Sequence, residues 1–213
     1  MQKKTLINYW DNFYIKKSKF KESSFARFVL SKIKGGRIKK SLIDIGCGNG
    51  RDSIFFSNNN FHVTGIDISQ KAIKKNLFFK NKNLNFIKFD IEKNKTSKKF
   101  DIIYCRFFLH AINEHGETKL LHLIKRIKKK NSIICFEFRN YKDQIFKKYK
   151  KRKHNQVVEF EKGHYRRMIN PIMFLEKCVK IIKCKMIYYK SSKNLSVVKY
   201  DNPNLSRMIF INK

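Results

Sequence analysis

Proline and glycine are scarce in this chain, at 2 and 8 of 213 residues. That excludes collagen-like and linker-rich architectures. No apolar run approaches the roughly 20 residues that span a bilayer. The first ten residues, Met1 to Trp10, lack the apolar segment of a secretory signal, so a cytoplasmic protein with no membrane span is expected. The five cysteines, Cys47, Cys105, Cys135, Cys178 and Cys184, are odd in number and form no CxxC pair. Neither a disulfide framework nor a zinc site is expected, and a reducing compartment suits them. The histidines show no HExxH spacing, and His110 and His115 are not at i, i+4, so no metal is expected.

Acidic residues are the other shortage. Asp plus Glu is 16 against 50 for Lys plus Arg, a formal charge of +34. Such a balance ordinarily marks a binder of nucleic acid or anionic membranes. The basic residues, however, are 40 Lys to 10 Arg, spread along the chain, and Ala occurs only three times. Lys, Asn, Ile and Phe, all abundant, have A/T-rich codons, so compositional drift on solvated faces accounts for much of the charge. A small anionic partner is the favoured reading and a polynucleotide surface the rival one. Both predict binding that weakens with salt.

Hydrophobic residues make up 42% and aromatics 14%, enough for one sizeable core and too many for a disordered chain. The patterning alternates. An amphipathic helix over 21–34 ends at Gly35-Gly36. Strands follow at 41–45, 62–66, 84–89, 100–105 and 132–138, with helices at 51–57, 70–80 and 114–129. This rhythm predicts a doubly wound α/β domain whose ligand lies beyond the carboxyl ends of the strands. Residues 139–170 break it and read as a lid, basic, aromatic and polar. A helix starting at Asn170-Pro171 and strands near 184–190 and 207–211 close a single domain over 1–213. Residues 1–37 form an N-terminal cap segment.

The most specific signal is the run Asp44-Ile45-Gly46-Cys47-Gly48-Asn49-Gly50 between a strand and a helix. Glycines there let backbone N–H groups approach a ligand at a helix N-terminus. Asp67 ends the next strand, placed to accept both ribose hydroxyls of an adenosine. Asp90 ends the third, placed to accept from an adenine amino group.

This set, with Gly65-Ile66-Asp67-Ile68-Ser69, Phe89-Asp90-Ile91 and Phe100-Asp101-Ile102-Ile103-Tyr104, resembles the class I S-adenosylmethionine-dependent methyltransferases over about residues 38–140. The resemblance implies a Rossmann-like mixed sheet of about seven strands, with an N-terminal helical segment and a lid after strand five. It implies S-adenosylmethionine as cofactor and S-adenosylhomocysteine as product. Gly46, Cys47 and Gly48 would line the methionine and ribose, although Cys47 is equally a small packing residue. Asp44 would sit near the methionine amino group, Asp67 at the ribose, and Ile68, Asp90 and Ile91 around the adenine. Arg106 and Phe107 fall where sulfonium and acceptor meet. In many members an N-terminal segment folds over the cofactor. Tyr14 would do so here and Tyr9 would reach the substrate, with plain hydrophobic anchoring as the rival.

An alcohol acceptor ordinarily wants a general base, whereas an anionic oxygen needs none. His110 and His164 are the candidates, against a core histidine for the first. Arg166 and Arg167 form a possible fork for phosphate or carboxylate beside Tyr165, against a solvated basic turn. Glu137 and Arg139 end strand five and face the cleft, unless they pair between strand and lid. The narrower pattern is YW-x-x-FY, ESSFA, IDIGCGNGRDS, RFFLHAI, E-x-R and HYRR. It looks most like methyltransferases of bacterial surface-polysaccharide gene sets. Some of these methylate nucleotide-linked sugars and others a capsule phosphoramidate. NPPY, Pro-Cys and metal-dependent catechol signatures are absent. An RNA methyltransferase and a non-catalytic binding module are the two rivals.

Overall fold

A computed structural model describes residues 3–15, 21–33, 40–149, 157–161, 164–197 and 201–212. Gly35-Gly36 and most of the lysine-rich run over 147–153 lie outside them. Among the described residues there are six α-helices: α1 (Lys3–Ile15), α2 (Ser24–Ile33), α3 (Arg51–Asn58), α4 (Gln70–Asn76), α5 (Glu114–Ile127) and α6 (Pro171–Ile182). Seven strands form one sheet: β1 (Ser41–Ile45), β2 (His62–Asp67), β3 (Leu84–Lys88), β4 (Phe100–Arg106), β5 (Lys128–Arg139), β8 (Lys185–Ser192) and β9 (Leu205–Ile211). Their order is β3-β2-β1-β4-β5-β9-β8. The first five pair in parallel, and β9 runs antiparallel to both β5 and β8. This is the doubly wound α/β domain expected from the alternation, and the Rossmann-like mixed sheet of about seven strands that the resemblance implies. None of the described helices is long and apolar enough to cross a membrane.

Side chains alternate across each strand, so one sheet feeds two cores. Ile103 and Cys105 of β4 join Ile43, Leu120, Ile124, Phe174 and Phe210 on the α5–α6 side. Ile102 and Tyr104 join Phe25, Phe56, Val63 and Ile209 on the α2–α3 side. Burial on both faces explains why the strands read as continuous apolar runs. Caps set several helix starts. Ser69 accepts from Ala72 N at α4, Asn113 from Gly116 N at α5, and Asn170 from Ile172 N at α6.

Several boundaries differ: the helix expected over 21–34 starts at Ser24, the one over 70–80 ends at Asn76, and the strand over 132–138 runs from Lys128 to Arg139. The expected helix over 114–129 stops at Ile127, because Lys128 already pairs with Phe100 in the sheet. The segment expected as a lid holds an antiparallel hairpin of β6 (Val157–Glu161) and β7 (His164–Arg167), a two-stranded sheet of its own. Its period-2 pattern is too short and too charged to announce itself in sequence.

Candidate functional site

The carboxyl ends of β1, β2 and β4 open on a cavity of about 450 Å³. Gly46, Gly48 and Gly50 all hold left-handed backbone, with φ of +76°, +54° and +73°. A side chain at the first two would collide with Phe108 and with the Tyr14 ring. The loop is tied to β2. Gly46 N and Cys47 N both donate to Ile66 O, at 2.8 and 3.0 Å. Asp67 is buried, and its carboxylate accepts from Gly48 N (2.9 Å) and Ser69 N (2.8 Å). Asn76 of α4 donates to Gly48 O at 2.7 Å. Asp67 therefore fixes the glycine turn as well as facing the cavity.

Asp44, at the end of β1, is buried and accepts from Ser53 Oγ at 2.6 Å. Burial, then the charge of Asp52, pushes its carboxyl up to about 7. Burial raises Asp67 too, opposed by its backbone donors. Ile68, Phe89, Asp90, Ile91 and Glu92 continue the wall past β2 and β3. The roof comes from α1. Leu6, Trp10, Phe13 and Tyr14 line the cavity at spacings of four, three and one, a single helical face. Asp11 holds that helix in place by accepting from Ser69 Oγ (2.5 Å) and Lys71 N (3.2 Å) at the start of α4.

Arg51, Asp52, Tyr104, Arg106, Phe107 and Asp201 close the remaining side. Arg106 donates from Nε to Glu137 (2.8 Å) and from Nη2 to Ser196 Oγ (3.1 Å), and its guanidinium lies 4.0 Å from the Phe107 ring. Phe107 has φ of +55°, which bends the chain away from β4 and keeps its ring at the cavity. Asp52 accepts from Ser23 N and Oγ (both 2.7 Å) and from Tyr104 Oη (2.8 Å). Arg51 stands beside it, with burial and then the Arg106 charge lowering its pKa. Among the described residues no lysine lines this cavity, and the acids Asp44, Asp52, Asp67, Asp90, Glu92 and Asp201 face two arginines, Arg51 and Arg106.

The model of a methyltransferase domain matches residues 38–194, from the segment before β1 to beyond β8. The chain belongs to that methyltransferase domain family. It is a class I S-adenosylmethionine-dependent methyltransferase domain, and S-adenosylmethionine is its cofactor. A ubiquinone biosynthesis O-methyltransferase of Rickettsia bellii is 30% identical over 96 residues, 44% of this chain and 40% of that one. The match thus spans well under half of that relative's length. Among solved structures, an S-adenosylmethionine-dependent methyltransferase of Methanosarcina mazei superposes with a TM-score of 0.68 at 16% identity, covering 82% of this chain and 92% of that one. The glycopeptide N-methyltransferase MtfA bound to S-adenosylhomocysteine gives 0.69 at 12% identity, covering 91% of each. A TehB-like methyltransferase of Corynebacterium glutamicum gives 0.63 at 16% identity over the whole of both.

The methyltransferase brings together Asp44, Gly46, Cys47, Gly48, Asp67, Ile68, Asp90, Ile91, Arg106, Phe107 and Tyr14 around the one cavity. Other expected positions need correction. Glu137 is 1% exposed and closed between Arg106 and Arg207, so it does not face the cleft. Arg139 pairs with Asp143 (3.1 Å) and with Asp201, the pairing weighed as the alternative. Arg166 and Arg167 form no fork, because neighbouring strand residues point to opposite faces. Arg167 is fully buried, with Nη2 2.5 Å from Glu117 and Nε on Ile112 O. His110 is buried and its Nδ1 already accepts from Arg139 N at 3.1 Å. Burial, then Arg166 and Arg139, holds its pKa well below the ordinary imidazole value. His164 and Tyr9 are not in the cavity wall but stack on each other at 4.6 Å, and Tyr165 pairs across the hairpin with Glu159.

Arg51, Tyr104, Trp10 and Asp201 were not singled out from sequence. Two of them carried a signal. Arg51 follows the last glycine of the turn, in the first helical turn at the cavity. Trp10 shares the 6, 10, 13, 14 spacing of one helix face.

Proposed function

We propose that this methyltransferase transfers a methyl group to an oxygen of a small anionic acceptor in the cytoplasm. The acceptor is a nucleotide-linked sugar or phosphoramidate precursor in surface-polysaccharide biosynthesis. The observation that carries this is the pair Arg51 and Arg106 at the end of the cavity bounded by Phe107 and Tyr104. Guanidinium groups suit phosphate and carboxylate oxygens. Among the described residues no histidine lines the cavity wall, which agrees with an acceptor that is already anionic. The partly matching relative named as an O-methyltransferase supports oxygen as the acceptor atom.

When bound, S-adenosylmethionine supplies the activated methyl group. The glycine turn would give its amino-acid portion close backbone approach, and Asp44 would offer its amino group a carboxylate. Asp67 would accept from the ribose hydroxyls. Ile68, Phe89 and Ile91 would border the adenine, with Asp90 toward its amino edge. Tyr14, Trp10 and Phe13 exclude water from above. Arg51 and Arg106 hold the acceptor anion in line with the methyl group, which is where positioning contributes most.

The test uses the purified chain with methyl-labelled cofactor and two pools, total RNA and small anionic metabolites. Label is expected in the metabolite pool, with the product identified by mass. Label in RNA overturns the reading. Arg51→Gln should raise the acceptor KM by about tenfold or more while S-adenosylhomocysteine affinity stays within about twofold.

A further inference from the structure

We propose that Arg166, backed by Arg139, forms a second anion subsite at the rim of the cavity. It holds a phosphate or carboxylate of the acceptor that is remote from the methylated oxygen. The inference rests on the anionic-acceptor reading and adds to it a second, separate charge on the substrate.

Arg166 differs from the other arginines around the site. Arg106 and Arg207 share Glu137, Arg167 has Glu117, and Arg139 has Asp143 and Asp201. Among the described residues Arg166 has no carboxylate within ion-pair distance. Its hydrogen bond goes from Nη1 to Tyr165 O at 3.0 Å. The guanidinium lies 5.4 Å from the centre of the Trp10 ring. A guanidinium over an aromatic ring keeps N–H donors beyond Nη1 that can receive an oxyanion.

The surroundings point the same way. Trp10 lines the cavity on its other side, and so does Asp201, the partner of Arg139. Both arginines therefore reach the rim from one direction. His110 and His164 complete the locus, and both lie within the field of Arg166 and Arg139. Burial together with those two charges lowers His164 to about 4, and burial lowers Arg166 to about 10. Tyr9, Tyr14 and Asp201 are the remaining ionisable groups that face Arg166. Asp143 and Asp201 balance Arg139, so an incoming anion would give Arg166 the direct carboxylate-like partner it lacks among the described residues. Trp10 lies between the cavity and Arg166, so an acceptor with a second charged group would meet Arg166 by extending past that ring.

The test is titration of inorganic phosphate into the protein saturated with S-adenosylhomocysteine, read through the His164 ring by NMR. Phosphate is expected to raise the His164 pKa by roughly one unit in the unmodified chain. Arg166→Gln should abolish that response, Arg166→Lys should keep part of it, and Arg51→Gln should keep it whole. Unchanged S-adenosylhomocysteine affinity in Arg166→Gln serves as the folding control. With the identified acceptor, Arg166→Gln should raise KM about tenfold and leave kcat nearly unchanged. A missing phosphate response, or one that survives Arg166→Gln, overturns the subsite. A response lost only in Arg51→Gln assigns the anion to the cavity arginines, which sinks this inference and leaves the proposed function standing.

Discussion

The two halves of the cavity are built on different principles. The half under β1, β2 and β3 takes its residues from three short stretches, 44–49, 66–68 and 89–92, each at the end of one strand. Backbone groups and carboxylates do the work there, and Asp67 locks the turn it serves. The half near β4 gathers Trp10, Arg51, Tyr104, Arg106, Phe107 and Asp201, residues up to 191 positions apart (201 − 10). Cations and aromatic rings dominate it. The first half is a local motif that many sequences share. The second is an assembly that only the finished fold produces, and that is where an enzyme of this architecture can change substrate without losing its cofactor.

This contrast can be broken or sharpened. The largest effect is expected at Arg167, next to the proposed subsite yet buried against Glu117. Arg167→Ala leaves the buried Glu117 carboxylate with Lys177 alone among the described residues (2.9 Å) and should destabilise the fold by about 3 kcal/mol in denaturant unfolding, where Arg166→Gln should cost little. Next comes Asp67→Ala. Loss of the ribose contact and of the turn's anchor should weaken S-adenosylhomocysteine by about 2 kcal/mol, roughly 30-fold by calorimetry. An unchanged affinity would refute the division of labour.

Gly48→Ala should cost about 1–2 kcal/mol of cofactor binding, from left-handed strain and the collision with Tyr14. Adding Tyr14→Ala removes the collision but not the strain, so the double variant should recover part of the loss. Full recovery would mean that sterics with α1 are the whole effect. The smallest change concerns pH. Asp44 is held up to about 7 in the free protein, and the cationic cofactor amine favours its ionised form. Binding should therefore release a proton near neutrality and weaken as pH falls through 7, by at most about tenfold per unit. For the free fold the sign is opposite: between the ordinary carboxylate value and 7 the folded state holds the extra proton, so this group's contribution to stability falls as pH rises. Asp44→Asn should remove both slopes, by calorimetry and by urea unfolding at several pH values.

The same division explains what the sequence made legible. Strand ends flanked by glycine or aspartate announce themselves because spacing along the chain equals proximity in space. Arg166 and Arg167 looked alike in sequence, yet strand alternation sends one to the rim and the other into the core. Glu137 and Arg139 end a strand in the expected place, but partners from β4, β9 and residue 201 close over them. No local pattern encodes those partners. The helical face of Leu6, Trp10, Phe13 and Tyr14 was readable by periodicity, while its placement over the glycine turn depends on Asp11 meeting Ser69.

The Tyr14 ring occupies the volume that any side chain at position 48 would need. Position 14 and position 48 are therefore not free to drift independently. In descendants of this chain, the turn must stay glycine while the tyrosine remains. A larger residue at 48 becomes tolerable only after a smaller one appears at 14. Paired substitution at these two sites, 34 positions apart (48 − 14), is the historical trace that the N-terminal helix and the cofactor loop should leave.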